Sequence, residues 1–218
     1  MEFSKSIILL FLASSFLLST DAHRMASGPS SNSPQSPIKP RHPKVCKKLV
    51  SPHLDLPIKL PTIINPVLKN ICGVTENSTN CIALIFPCIT GSTNPFSALE
   101  AVIVSLIEHV EHTLSFSLKL VKNKSTKAEI VTALNLSTEI YVKVIEDLKK
   151  ALAAFKAQDN VTVRTMLVAA ITEVGRCDEA FQQHGLTKTW PLFKIDHMLT
   201  QLAGFGLDIH GKFIIKVD

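Results

Sequence analysis

The sequence has little that favours β-structure. It contains one tryptophan, one tyrosine and eight glycines in 218 residues. After Thr62, the residue patterns that predict strands bounded by glycine turns are nearly absent. The sequence instead has long segments in which leucine, isoleucine, valine and alanine recur three and four residues apart. This spacing indicates helices. We therefore expect an all-α fold.

Motifs that carry catalytic chemistry are also missing. No Cys-x-x-Cys, glycine-rich phosphate loop or Gly-x-Ser-x-Gly elbow occurs, so no local pattern makes any side chain a nucleophile. In Glu108-His109-Val110-Glu111-His112 the histidines lie three residues apart, whereas a zincin helix needs them four apart, and Glu-x-x-His pairs for a di-iron bundle are absent. We predict no catalytic residue, metal or cofactor, and expect this stretch to be a solvated helix face.

The N-terminus is typical of a secreted protein. Lys5 precedes a 12-residue apolar run, 7–18, and small or polar residues follow up to Ala22. This is the layout of a signal peptide, and the run is shorter than the ~20 residues that span a bilayer. We predict a signal peptide over 1–22, a mature chain that is secreted to the extracellular space, and no membrane segment after cleavage.

The next segment, 23–61, is predicted to be a Pro-rich, basic and disordered tail. Nine of the twelve prolines lie between Pro29 and Pro66, and residues 23–66 hold seven Lys or Arg against the single Asp55. The net charge of +5 therefore belongs mostly to the tail, since residues 67–218 hold fifteen basic and fifteen acidic groups. Outside the cell, such a tail is better suited to an acidic polysaccharide than to nucleic acid, although it can equally be a linker without a ligand.

The five cysteines suggest disulfides, and the odd number leaves one unpaired or intermolecular. Cys72 and Cys81 have the spacing of a local disulfide across the polar stretch between them, whereas zinc-knuckle and redox motifs are tighter. Four glycosylation sequons are present, at Asn77, Asn123, Asn135 and Asn160.

Apolar positions predict the architecture of residues 62–218. A stripe with spacings of four and three runs from Ile130 to Phe155, and similar stripes occupy 96–122, 163–181 and 195–209. They predict a four-helix up-and-down bundle. Residues 62–90 are expected to form a helical hairpin before it, and Ser125 or Thr126 with Glu129 is expected to cap the second bundle helix as a capping box.

From about Ile64 to Ile214 the chain resembles the plant pectin methylesterase inhibitor and invertase inhibitor family. Four segments carry the resemblance. The first is Ile71-Cys72-x-x-Thr75 followed by Cys81, and the second is 136–141, which fits the family pattern Cys-x-Glu-x-Tyr with Ser137 in the cysteine position. The third is the Ala-Ala…Cys-x-x-x-Phe block at 169–181, and the fourth is 201–209, which resembles the family's last helix. The resemblance implies a cell-wall inhibitor without catalytic residues, which covers the active-site cleft of its target with one face of the bundle.

Ser137 departs from the family pattern, because members usually join this position to the cysteine matched by Cys177. The resemblance therefore implies that the second family disulfide is missing. Cys177 is then either a buried thiol or re-paired with Cys88 or Cys46.

The start of the third bundle helix bears on which enzyme is the target. Invertase inhibitors often carry Pro-Lys-Phe after the aspartate that opens the third bundle helix, whereas Asp159 is followed by the sequon Asn160-Val161-Thr162, which favours a pectin methylesterase. Exposed positions expected to contact the partner are Thr132, Glu139, Lys143, Glu146, Arg164, Thr165 and Glu173.

Two alternatives stay open: an inhibitor of cell-wall or vacuolar acid invertase, and a cell-wall glycoprotein that binds acidic pectin through Lys39–Lys44 without inhibiting an enzyme.

Overall fold

The structure, a computed structural model, describes Cys46, residues 65–186 and residues 191–215. All of them belong to one unit, 41–218. The predicted signal peptide and, apart from Cys46, the predicted Pro-rich tail lie outside the described residues.

A short hairpin precedes the bundle, as predicted. Helices α1 (Pro66–Cys72) and α2 (Ser78–Ile85) flank the polar bend, and a 3-10 turn, Phe86–Cys88, follows α2. The Cys72–Cys81 disulfide joins the two helices. Asn65 and Asn77 each accept a backbone hydrogen bond in the first turn of the helix that follows, which satisfies amide groups that a helix start leaves without partners.

Four long helices form the bundle: α3 (Pro95–Lys122), α4 (Ala128–Lys156), α5 (Asn160–Gln183) and α6 (Pro191–Ile209). Each packs on the next along the chain, and α6 packs back on α3, so the four close into a ring. The apolar stripes fill its centre, where Leu99, Leu134, Leu148 and Leu167 have no exposed surface. The expected all-α fold, with a four-helix bundle behind a disulfide-linked hairpin, is confirmed.

The predicted capping box at the start of α4 is wrong. Lys127 occupies the cap position and its side chain makes no capping hydrogen bond. The hydroxyl of Thr126 instead donates to the Leu120 carbonyl, at 2.8 Å, because the link from α3 turns back onto the end of that helix. Glu129 is exposed in the first turn of α4.

The end of the bundle differs from a plain helix terminus. After Ile209 the chain continues as one π-helical turn, His210–Ile214. Gly204 and Gly206 do not end α6. A side chain at Gly206 would approach Val102 to 3.0 Å and Leu167 to 3.2 Å, so this glycine lets α6 lie close to α3 and α5.

Within the described residues, none of the helices is long and apolar enough to cross a membrane.

Candidate functional site

Four of the predicted partner-binding residues form one exposed stripe on α4. Thr132, Glu139, Lys143 and Glu146 are all exposed, and their spacings of seven, four and three residues place them on one face of the helix. The Thr132 hydroxyl donates within its own helix, to Ala128 at 3.1 Å. Glu139 and Glu146 have no hydrogen bond or ion pair within the described part of the chain, so their carboxylates are available to a partner.

Ion pairs connect this stripe to α5. The Lys143 ammonium lies 2.6 Å from Asp147 and 3.5 Å from Glu173, and Arg176 lies 2.7 Å from Glu173. Burial opposes ionisation of Asp147, but hydrogen bonds from Lys143 and Lys150 hold the pKa of this carboxyl below its ordinary value. The hydrogen bond to Asp147 also raises the pKa of Lys143. The seam between α4 and α5 therefore presents fixed charges of both signs.

Arg164 and Thr165 lie apart from this seam network. Both line a groove of about 680 Å³ at the end of the bundle where α5 begins, together with Phe96, Val161 and the π-helical turn. The structure thus brings Lys143 and Glu173 together, although Glu173 is partly buried and not exposed as predicted. Thr132, Glu139 and Glu146 stay exposed on α4, and Arg164 and Thr165 lie in a separate, mostly apolar site.

A buried polar cluster occupies the position of the missing family disulfide. Ser137 and Cys177 have no exposed surface, and Cys177 is a free thiol. The Tyr141 hydroxyl donates to Asp196 at 2.8 Å. Asp196, on α6, was not predicted from the sequence: it adjoins the apolar Ile195 on the helix, and no motif sets it apart.

Burial decides the protonation of this cluster. Desolvation raises the pKa of Cys177 and of Tyr141 well above their ordinary values, so both stay protonated at neutral pH. It also raises the pKa of Asp196 well above its ordinary value, despite the hydrogen bond from Tyr141. The Ser137 hydroxyl is satisfied inside its helix by the Ala133 carbonyl, at 3.0 Å. Cys177 is consequently unreactive and behaves as a small apolar core residue.

The sequence left open whether Cys177 is a free thiol or pairs with Cys88 or Cys46, and the other disulfides decide this. Cys46 pairs with Cys88, so neither is available to Cys177. The backbone amide of Cys46 also donates to Glu108 on α3, at 2.8 Å. This disulfide fixes one point of the Pro-rich segment to the end of the hairpin.

The same contact corrects the expectation of a fully solvated face at 108–112. Glu111 and His112 are exposed, but Glu108 and His109 are partly buried under the hairpin and Cys46. Burial lowers the pKa of His109, whose ring nitrogen lies 2.7 Å from the Ser105 carbonyl. Within the residues described, no three His, Cys, Asp or Glu side chains are placed to hold a metal ion.

The four sequons lie in different settings. Asn77 caps α2, Asn123 follows the last residue of α3 and accepts a hydrogen bond from the Ser125 amide, and Asn135 is exposed on α4. Asn160 is the first residue of α5 and lines the apolar groove. Their glycosylation stays a prediction.

Comparison with known families gives one match. The model of the family described as plant invertase/pectin methylesterase inhibitor matches residues 66–209, from the first residue of α1 to the last of α6. The chain belongs to this family. No curated protein sequence matches it.

Two solved structures of pectin methylesterase inhibitors share the fold of this family member. Both inhibitors are from Arabidopsis. A mutant form is 16% identical with a TM-score of 0.58, over 66% of this chain and 95% of its own. The other is 15% identical with a TM-score of 0.52, over 71% of this chain and all of its own. At these identities the likeness shows the fold alone.

Proposed function

We propose that this protein is a secreted inhibitor that blocks a pectin methylesterase by non-covalent binding over the enzyme's active-site cleft. Membership of the inhibitor family supports the inhibitory role, and the description of both structural neighbours as pectin methylesterase inhibitors supports this target. No catalytic group of this chain takes part, because the inhibitor acts by covering the cleft.

The start of α5 is the observation that most favours pectin methylesterase over invertase. Where the resemblance leads one to expect Pro-Lys-Phe in an invertase inhibitor, this chain has Asn160-Val161-Thr162. Asp159 caps the helix by accepting hydrogen bonds from the Thr162 amide at 3.0 Å and hydroxyl at 2.6 Å. These residues therefore form a helical turn and do not project as a loop that could enter a substrate cleft.

The α4–α5 seam is the contact surface that we propose for the enzyme. It offers Thr132, Glu139 and Glu146 in a row, with Lys143 and Glu173 held at 3.5 Å beside them. Side chains that are already held in place on rigid helices lose little freedom on binding. Charges at fixed positions also favour specificity and fast association with a partner of complementary charge. Arg164 and Thr165, at the end of the bundle, would contribute only if the enzyme reaches beyond this seam.

The inhibition itself is tested by titrating the purified protein against a pectin methylesterase and an acid invertase, at acidic and neutral pH. We expect stoichiometric loss of pectin methylesterase activity and unchanged invertase activity. Inhibition of invertase alone would transfer the proposal to that enzyme, and no effect on either enzyme would refute inhibition. Binding to polygalacturonate without inhibition would support the pectin-binding alternative.

The contact surface is tested by charge reversal at Glu146. Glu146→Lys should weaken inhibition about tenfold if the residue lies inside the interface. Glu179→Lys is the matched control, since Glu179 is also exposed but lies on α5, about 120° around the helix from Glu173. Equal inhibition constants for the two variants, with unchanged melting temperatures, would exclude this seam.

A further inference from the structure

The groove at the end of the bundle is an apolar feature of the described surface that lies outside the proposed α4–α5 contact surface. Phe96, at the start of α3, is 53% exposed, and Val161, at the start of α5, is 77% exposed. Phe213 and Ile214 of the π-helical turn line the same groove. Soluble proteins seldom leave aromatic and aliphatic side chains grouped at the surface unless something covers them.

A residue to which a glycan can be attached lies in the same groove. Asn160 lines it directly and is the acceptor residue of the sequon Asn160-Val161-Thr162. Its side-chain amide makes no hydrogen bond within the part of the chain that the structure describes.

The other three sequons lack this combination. Two of their asparagines use the side-chain oxygen in local caps, at Asn77 and Asn123. Asn135 stands on the solvent face of α4. Only Asn160 among the four lines the groove.

We propose that Asn160 carries an N-linked glycan whose first N-acetylglucosamine residues lie in this groove. In the transfer, Nδ2 of Asn160 loses a proton and bonds to the anomeric carbon of a lipid-pyrophosphate-linked oligosaccharide. The carbon–oxygen bond of the donor breaks and releases the lipid pyrophosphate. The sugars then pack their C–H faces on Phe96 and Phe213, whose ring faces are electron-rich.

Sugar chemistry fits the groove in two further respects. The Arg164 guanidinium at its border can donate to sugar hydroxyl and acetamido oxygens. The covalent tether also makes the contact intramolecular, so that weak packing interactions suffice to hold the sugar in place. A free apolar ligand of the same size would lack this advantage.

The test compares the secreted glycoprotein with variants that lose one glycan each. Site occupancy is measured by mass spectrometry, and access to the groove by titration with anilinonaphthalenesulfonate, a dye that fluoresces in apolar sites. We expect Asn160 to be occupied, and Asn160→Gln to bind the dye roughly three- to tenfold more tightly than wild type. Asn135→Gln is the matched control and should bind the dye as wild type does.

A double-mutant cycle ties the effect to the aromatic wall. Phe96→Ala should lower stability more in the glycosylated protein than in Asn160→Gln, with a coupling of roughly threefold to tenfold in the folding equilibrium constant. Nuclear Overhauser contacts between N-acetylglucosamine and the Phe96 ring in the wild-type protein give a readout that does not depend on the variants folding. An unoccupied Asn160, or an occupied one without dye protection, coupling or sugar–ring contacts, would overturn the proposal.

Discussion

At the scale of single residues, Ser137 and Cys177 determine the chemistry of the core where α4 and α5 meet. Both are fully buried, the serine hydroxyl bonds within its own helix, and the thiol is free. The site therefore lacks the covalent link between helices that the family resemblance leads one to expect there.

We predict that Ser137→Cys forms a disulfide with Cys177 and raises the free energy of unfolding by about 2–4 kcal/mol. The added crosslink would restrict the unfolded chain across residues 137–177. Thermal unfolding and thiol titration measure the two effects. Ser137→Ala is the control and should show no gain, and a Ser137→Cys variant that retains two free thiols would contradict the prediction.

Asp196 makes the stability of the protein depend on pH. Burial raises the pKa of Asp196 in the folded state above the unfolded value of ~3.9. At a pH between these two pKa values, the folded chain therefore keeps a proton that the unfolded chain releases. The contribution of this group is fully present below the unfolded pKa, and it is lost as the pH rises through the folded pKa.

We predict that Asp196→Asn flattens this decline. An asparagine cannot ionise, yet its oxygen can still accept from Tyr141. Above the unfolded pKa, the free energy of unfolding of the wild type should fall by up to about 1.4 kcal/mol per pH unit because of this group, until the pH passes its folded pKa. The variant should not show that part of the decline. Urea denaturation at several pH values measures it, and parallel pH profiles for the two proteins would show that Asp196 does not titrate as described.

At the scale of elements, the starts of α3 and α4 show how unequally helices of one bundle are capped. Asn94 and Ser97 form a reciprocal capping box at α3, with hydrogen bonds of 3.0 Å and 2.9 Å. Lys127 makes no such bond at α4. Lys127, Ala128 and Glu129 are all exposed, so the start of α4 has neither a side-chain cap nor a buried first turn.

We predict that Asn94→Ala lowers the free energy of unfolding by about 1 kcal/mol, because the Ser97 amide loses its acceptor. Lys127→Ala occupies the equivalent cap position of α4 and should have almost no effect. Urea denaturation midpoints compare the two, and equal losses would show that capping does not distinguish these helices.

At the scale of the whole molecule, the Cys46–Cys88 disulfide connects the Pro-rich segment to the folded unit. It closes a loop of sequence separation 42, against 9 for Cys72–Cys81. In the chain-entropy account, a longer closed loop restricts the unfolded state more.

We predict that the double variant Cys46→Ala, Cys88→Ala loses about 4 kcal/mol of unfolding free energy, whereas Cys72→Ala, Cys81→Ala loses about 3 kcal/mol. Chemical denaturation of the two double variants measures the difference. The reverse order would mean that packing in the hairpin, and not loop closure, dominates the effect of these crosslinks.

The sequence by itself determined the helices, because stripes such as Leu134–Leu148 must face a common core wherever that core lies. It also predicted the Cys72–Cys81 link, since eight intervening residues make that pairing local. The position of Ser137 on such a stripe was enough to place it in the core beside α5.

Tertiary structure decided the features that join distant parts of the chain. Tyr141 reaches Asp196, and Cys46 reaches Cys88, only after the helices have packed. Packing likewise brings Phe96, Asn160 and Phe213 to one groove, and no local spacing in the sequence predicts these approaches. Gly206 shows the same limit: glycine has a low helix propensity, but close packing on Val102 and Leu167 favours a glycine at this position.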